Sequence, residues 1–174
     1  MKTKNTDVKI KVLLLITGSI AAVKIPLLVS QLAKGNYEIK CVLTKNAEKL
    51  IKPLSLSILS RNPCILENDQ WSNIQPTPLH IELCNWADIL IIAPLTATTL
   101  SKWVTGNADG LIPSILIANT KPIVVAPAMN TQMWLNRAVQ KNYENLQNYE
   151  NVLSLQPSEG LLACDAIGLS LIHI

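Results

Sequence analysis

The chain has 174 residues, 49% hydrophobic and 16% charged, with a formal net charge of +3. That length fits about one domain of ~150 residues, and the composition excludes a disordered chain, which needs low hydrophobicity and high charge. The positive excess sits in Lys2, Lys4, Lys9 and Lys11 against Asp7, so the remainder is balanced and offers no basic face for nucleic acid.

In chain order, Ile10–Ile16 is a continuous apolar run and reads as a buried strand. Ile20–Lys34 has helical spacing, with Pro26 tolerable in an early turn and Gly35-Asn36 as the stop. Tyr37–Thr44 reads as a second strand, and 47–60 as a helical region interrupted at Pro53. Residues 67–79 are polar, carry Pro76 and Pro78, and read as a loop; 81–86 is a short apolar stretch. Asp88–Ala93 is a buried strand ending at Pro94, and 96–104 is helical. Pro122–Ala126 is a further buried strand ending at Pro127, 131–147 is helical, and 151–155 reads as a last strand.

Buried strands alternating with helices imply an α/β fold with a doubly wound parallel sheet. Ligands of such sheets bind beyond the carboxyl ends of the strands. The segments found there are Thr17-Gly18-Ser19, Thr44, Ala93-Pro94-Leu95-Thr96 and Ala126-Pro127-Ala128-Met129-Asn130, all small or polar. No apolar run reaches the ~18 residues of a membrane span. The N-terminal run breaks at Thr17-Gly18, short of the ~7–15 residues of a signal peptide's apolar region. Cys41, Cys64, Cys84 and Cys164 show no CxxC spacing and histidine is scarce, so neither a metal site nor a disulfide framework is indicated. Reduced thiols point to a cytoplasmic protein.

Several segments admit two readings. Gly18 and Ser19 form either an ordinary capped turn or a phosphate cradle at a helix start; the GxGxxG and P-loop patterns are both absent. Ala93, Pro94, Thr96 and Ala97 are either a plain strand–helix connection or the lining of a flavin or ribityl pocket. Asn130 is either a helix cap or a polar point beside the soft wall of Met133 and Trp134. His80 is either a surface or satisfied core histidine, or a base. Cys164, with glycines on either side at 160 and 168, is either a small core residue or a proton donor.

Taken in this order, the segments resemble the flavin-dependent cysteine decarboxylases, and within them the branch that serves coenzyme A biosynthesis. The specific parts are His-Ile-Glu-Leu at 80–83, Pro-Ala-Met-Asn-x-x-Met-Trp at 127–134 and Leu-Ala-Cys at 162–164. The resemblance covers roughly residues 8–168. It implies a flavodoxin-like (Rossmann-like) three-layer fold and FMN as cofactor. It further implies a homo-oligomer (a trimer or a dodecamer of trimers) with FMN near subunit contacts, which would account for the low charge content. Gly18, Ser19, Ile20, Thr44, Ala93, Pro94, Thr96 and Ala97 would bind the cofactor. His80 and Cys164 would be catalytic, and Asn130, Met133, Ala128 and Met129 would bind substrate.

The implied reaction turns 4′-phospho-N-pantothenoylcysteine into 4′-phosphopantetheine and CO₂. Loss of CO₂ from a cysteine carboxylate needs an electron sink, and oxidising the thiol to a thioaldehyde creates one. An enethiolate follows and is reduced and protonated, so the net reaction is non-oxidative. The rivals are a decarboxylase of peptide C-terminal cysteines and a non-catalytic flavin-binding regulatory subunit. Thr98 and Gly110 depart from the family's usual residues. The last six residues, 169–174, are what CTG TCT CTT ATA CAC ATC encodes, a transposon-end adapter. We therefore read 1–168 as a flavoprotein decarboxylase domain with an incomplete flap and 169–174 as an adapter-derived tail. A phosphopantothenate–cysteine ligase domain would be fused beyond it in the intact gene.

Overall fold

β1 (Ile10–Ile16) is apolar at every position after Lys11 because both of its faces are covered. Leu13 and Leu15 enter one core cluster, while Val12, Leu14 and Ile16 enter a second on the opposite face. This computed structural model describes residues 8–72 and 76–155, and the backbone of 158–161 and 167–170.

The six-stranded sheet has the order β3-β2-β1-β4-β5-β6, and every pair in it is parallel. Its other strands are β2 (Tyr37–Leu43), β3 (Ile65–Leu66), β4 (Ile89–Leu95), β5 (Ile123–Pro127) and β6 (Val152–Ser154). Without the two-residue β3, the order reads 2-1-3-4-5, the flavodoxin-like arrangement. Strand order reverses between β1 and β4, so the crevice of this sheet opens there. Two further strands, β7 (Ser158–Leu161) and β8 (Ile167–Ser170), form a separate antiparallel pair.

The helices split by face. α1 (Ile25–Leu32) and α2 (Pro53–Ser60) cover one side through Ile25, Val29 and Leu56. On the other lie α3 (Leu79–Trp86), α4 (Ala97–Val104), α5 (Leu111–Ala118) and α7 (Arg137–Gln147), which bury Leu83, Leu100, Trp103, Ile115 and Leu146 among others. A short α6 (Thr131–Leu135) precedes α7.

Several boundaries differ from the pattern. The expected 20–34 helix is a 3₁₀ turn at Ile20–Lys24 followed by α1, because Pro26 lacks the N–H that would bond back into the preceding turn. The 47–60 region is helical only from Pro53. The helix expected over 131–147 breaks at Asn136, whose side chain caps α7 by accepting from Ala138 N–H at 2.9 Å. The 67–79 loop contains a 3₁₀ turn at Glu67–Trp71. α5 has no counterpart in the sequence reading, since Gly106, Gly110 and Pro113 disguise an almost wholly apolar, buried helix. β4 runs through the cis Ala93–Pro94 bond to Leu95. A register shift between Ile92 and Leu95 accommodates a proline that cannot donate to a ladder.

Candidate functional site

The crevice between β1 and β4 holds the loops that follow β1, β2 and β4. Gly18 stands where the first two loops meet. A Cβ there would overlap Asn46, so only glycine lets the backbone pass. Thr44 continues the sheet by donating its N–H to Ile16 O at 3.1 Å, and its hydroxyl accepts from Ala47 N–H at 3.3 Å.

At β4, Thr96 caps α4: its hydroxyl accepts from Thr99 N–H at 3.5 Å. The N–H groups of Ala97 and Thr98 fall in the first turn of α4, where no carbonyl of the same helix can reach them. Thr96, Thr98 and Thr99, with Thr17, Gly18 and Thr44, line a polar cleft of about 320 Å³. Its outer rim is charged. Lys102 Nζ reaches Asp109 Oδ2 at 2.7 Å and the Asp109 carbonyl at 2.9 Å. The ammonium that hydrogen-bonds it holds the Asp109 carboxyl below the usual carboxylate range. Glu67 accepts from Leu111 N–H at 2.5 Å, and its Oε1 occupies the space of a Cβ at Gly110. Lys45 is exposed on the same rim.

A second, apolar pocket of about 40 Å³ lies on the α1 side of the same strand ends. Ala21, Ile25, Ala93, Pro94, Ala126 and Ala128 form its walls, with Lys24 and Gln31 also lining it. Ala93 and Pro94 line this pocket while Thr96 lines the polar cleft, so one segment walls both. Ala128 N–H donates to Leu95 O at 3.0 Å and ties the 126–130 segment to it.

Asn130 follows two residues later and is exposed. Its Oδ1 accepts from Gln132 N–H at 2.8 Å, capping α6. Both readings of Asn130 are therefore compatible: the oxygen is used as a cap and the Nδ2 amide remains a donor. Met129 is half-buried and Met133 48% exposed, beside the cap. Ser19 precedes the 3₁₀ turn but makes no side-chain capping bond, and Ile20 is 49% exposed. His80, second residue of α3, is half-buried and lines neither cleft. Cys164 lies outside the described residues.

Sequence reasoning did not select Glu67, Lys102, Asp109 or Asn46 for the site. Lys102 had a readable signal, since it stands four residues after Thr98 on α4 and therefore on the same helix face. Glu67 had none, because its partner is 44 residues away. Among the described residues, no group of three His, Cys, Asp or Glu side chains is placed to hold a metal, and no helix is long and apolar enough to cross a membrane.

A Flavoprotein family profile matches residues 1–172. A probable phosphopantothenoylcysteine decarboxylase of Streptococcus mutans is 36% identical over 160 residues, covering 91% of this chain and 88% of its own. A solved PPC decarboxylase mutant complexed with pantothenoylaminoethenethiol superposes with a TM-score of 0.82 at 36% identity, covering 93% of this chain and 90% of that one. The FMN-dependent cysteine decarboxylase SpaF gives 0.81 at 29% identity, covering 95% and 92%. The chain spans 38% of the length of the Bacillus subtilis coenzyme A biosynthesis bifunctional protein CoaBC, at 35% identity.

Proposed function

The chain belongs to the Flavoprotein family, and from that premise we propose that it is an FMN-dependent decarboxylase converting 4′-phospho-N-pantothenoylcysteine to 4′-phosphopantetheine and CO₂. The observation that carries this reading is one wall shared by two unlike clefts. A polar cleft and an apolar slot adjoin along Ala93–Thr96 at the point where strand order reverses. A flavin mononucleotide has those two halves, a flat ring and a phosphorylated polyol. Relatives named as decarboxylases of this substrate match most of the chain, which supports the same choice.

The donor set fits the cofactor. Gly18, Ser19, Ile20, Thr44, Thr96 and Ala97 would hold the ribityl phosphate, using hydroxyls and the N–H groups that open α4. Ala93, Pro94 and Ala128 would form one flat wall against the ring, since their side chains are small; the pocket's volume of about 40 Å³ does not enclose it. When bound, FMN supplies a reversible hydride acceptor.

The chain's own residues do the rest. His80 takes the thiol proton of the substrate cysteine. Asn130 Nδ2 donates to its carboxylate, and Met129 and Met133 line the same pocket. A neutral amide orients the carboxylate without the ion pair that would stabilise it against CO₂ loss. Cys164 returns a proton to the enethiolate. His80 lines neither cleft, so we place the complete site at a contact between copies of this chain in a homo-oligomer. The match to bifunctional CoaBC proteins supports a second catalytic domain, a phosphopantothenate–cysteine ligase, in the same polypeptide.

The test offers two substrates to FMN-loaded protein: 4′-phospho-N-pantothenoylcysteine and a peptide ending in cysteine. CO₂ from the first alone is expected. Release from the peptide alone would transfer the chain to the peptide branch, and release from neither would favour a regulatory flavin-binding role.

A further inference from the structure

We propose that Thr17 is the positioning residue that pre-forms the cofactor site, by bridging the loops that follow β1 and β4 with one buried hydroxyl. Thr17 is 1% exposed, yet its side chain is polar. Its Oγ1 donates to Pro94 O at 2.6 Å and accepts from Thr96 N–H at 3.1 Å. Both partners sit where β4 leaves its regular pairing. The β1–β4 ladder ends at Leu15 and Ile92, and the β4–β5 register shifts between Ile92 and Leu95. Pro94 has no N–H of its own, so this stretch cannot restore a ladder.

One hydroxyl thus does the work of the missing strand neighbour, satisfying an acceptor and a donor that would otherwise be left without a partner. The segment it holds matters for binding. Pro94 lines the apolar pocket, and Thr96 lines the polar cleft and caps α4. Thr17 itself adjoins Gly18, the close-approach point of the first loop. Without the bridge, the 93–96 segment samples other arrangements. Apparent affinity falls by the fraction of molecules that keep the competent one. Loss of global stability alone would leave the affinity of the folded protein unchanged, so the dissociation constant separates positioning from scaffolding.

The proposal rests on the flavin reading above, and two measurements keep them apart. FMN is titrated into the wild type, Thr17→Ser and Thr17→Val, with folding followed by circular dichroism. Thr17→Val has nearly the same shape but no hydroxyl, and about ten-fold or greater weakening of FMN binding is expected. Thr17→Ser keeps the bridge and should bind within about two-fold of the wild type. A folded Thr17→Val protein that binds FMN as the wild type does overturns the proposal. Hydrogen exchange of the Thr96 amide is measured in the flavin-free wild type as well. Slow exchange supports the bridge, even if Thr17→Val fails to fold or the wild type takes up no FMN. Exchange as fast as an open loop overturns it. A wild type that binds no FMN overturns the cofactor reading instead.

Discussion

Asn130 has its Oδ1 committed to Gln132 N–H, so only the amide nitrogen remains to meet a ligand. Asn130→Asp keeps the cap, since aspartate caps as well as asparagine, but exchanges a donor for a negative charge. The expected outcome is an unchanged melting temperature and FMN affinity with CO₂ release reduced at least ~100-fold, read by a product assay; the lost amide donor together with like-charge repulsion of the substrate carboxylate would account for that factor. Retention of half the wild-type rate would remove Asn130 from the substrate site. His80→Asn should likewise retain FMN and lose CO₂ release. Asn130 was legible because its neighbours form an unusual run, Pro127 to Trp134. Thr17 was legible only as a residue after a strand; its bridging role depends on Pro94 and Thr96, nearly eighty residues on, which no local pattern encodes.

The strand-end loops decide whether the elements assemble a cleft. Gly18 is the tightest point, and Gly18→Ala should push Asn46 away and weaken FMN binding at least ~10-fold, measured by fluorescence titration. The Glu67 link to the start of α5 makes a milder prediction. Glu67→Gln preserves an acceptor for Leu111 N–H and should melt within a degree or so of the wild type, whereas Glu67→Ala should cost about 1 kcal/mol, or ~2–4 °C, in a thermal scan. Equal melting temperatures for the two variants would show that the link contributes nothing. β1, β4 and β5 were readable because a strand buried on both faces must be apolar throughout, and β2 because its buried Ile39, Cys41, Val42 and Leu43 outweigh Glu38 and Lys40. α5 was not, because apolar residues on every face, the exposed Ile117 included, erase the helical period and Pro113 in its first turn imitates a break. β3 was not, being two residues of edge strand with no period to read.

The whole molecule buries three thiols among the described residues or holds them partly buried, and this sets its behaviour in alkali. Burial pushes the Cys64 thiol up to about 12, with Glu48 and Asp69 adding to the effect. Burial also raises Cys41 and Cys84. A thiol whose folded pKa is raised stays protonated while the unfolded chain ionises near 9.0. Its stabilisation is therefore intact below about pH 9 and declines as pH rises toward the folded value. The slope approaches at most about 1.4 kcal/mol per pH unit for the fully buried Cys41 and is smaller for the half-buried Cys64. Urea midpoints between pH 8 and 11 should fall less steeply in a Cys41→Val/Cys64→Val protein than in the wild type; equal slopes would show that neither thiol is linked to folding.

The proposed contact between copies makes a separate prediction. Mixing inactive His80→Asn and Asn130→Asp chains, unfolded together and refolded, should restore part of the activity if each site draws on two copies. No recovery would confine His80 and Asn130 to one copy's site. All of this stands on the FMN-dependent chemistry, and carboxyl-labelled 4′-phospho-N-pantothenoylcysteine tests it most directly. With FMN-loaded protein, labelled CO₂ should appear in step with 4′-phosphopantetheine, and flavin-free protein should release none. Flavin-loaded protein that leaves the label on the substrate would contradict the assignment.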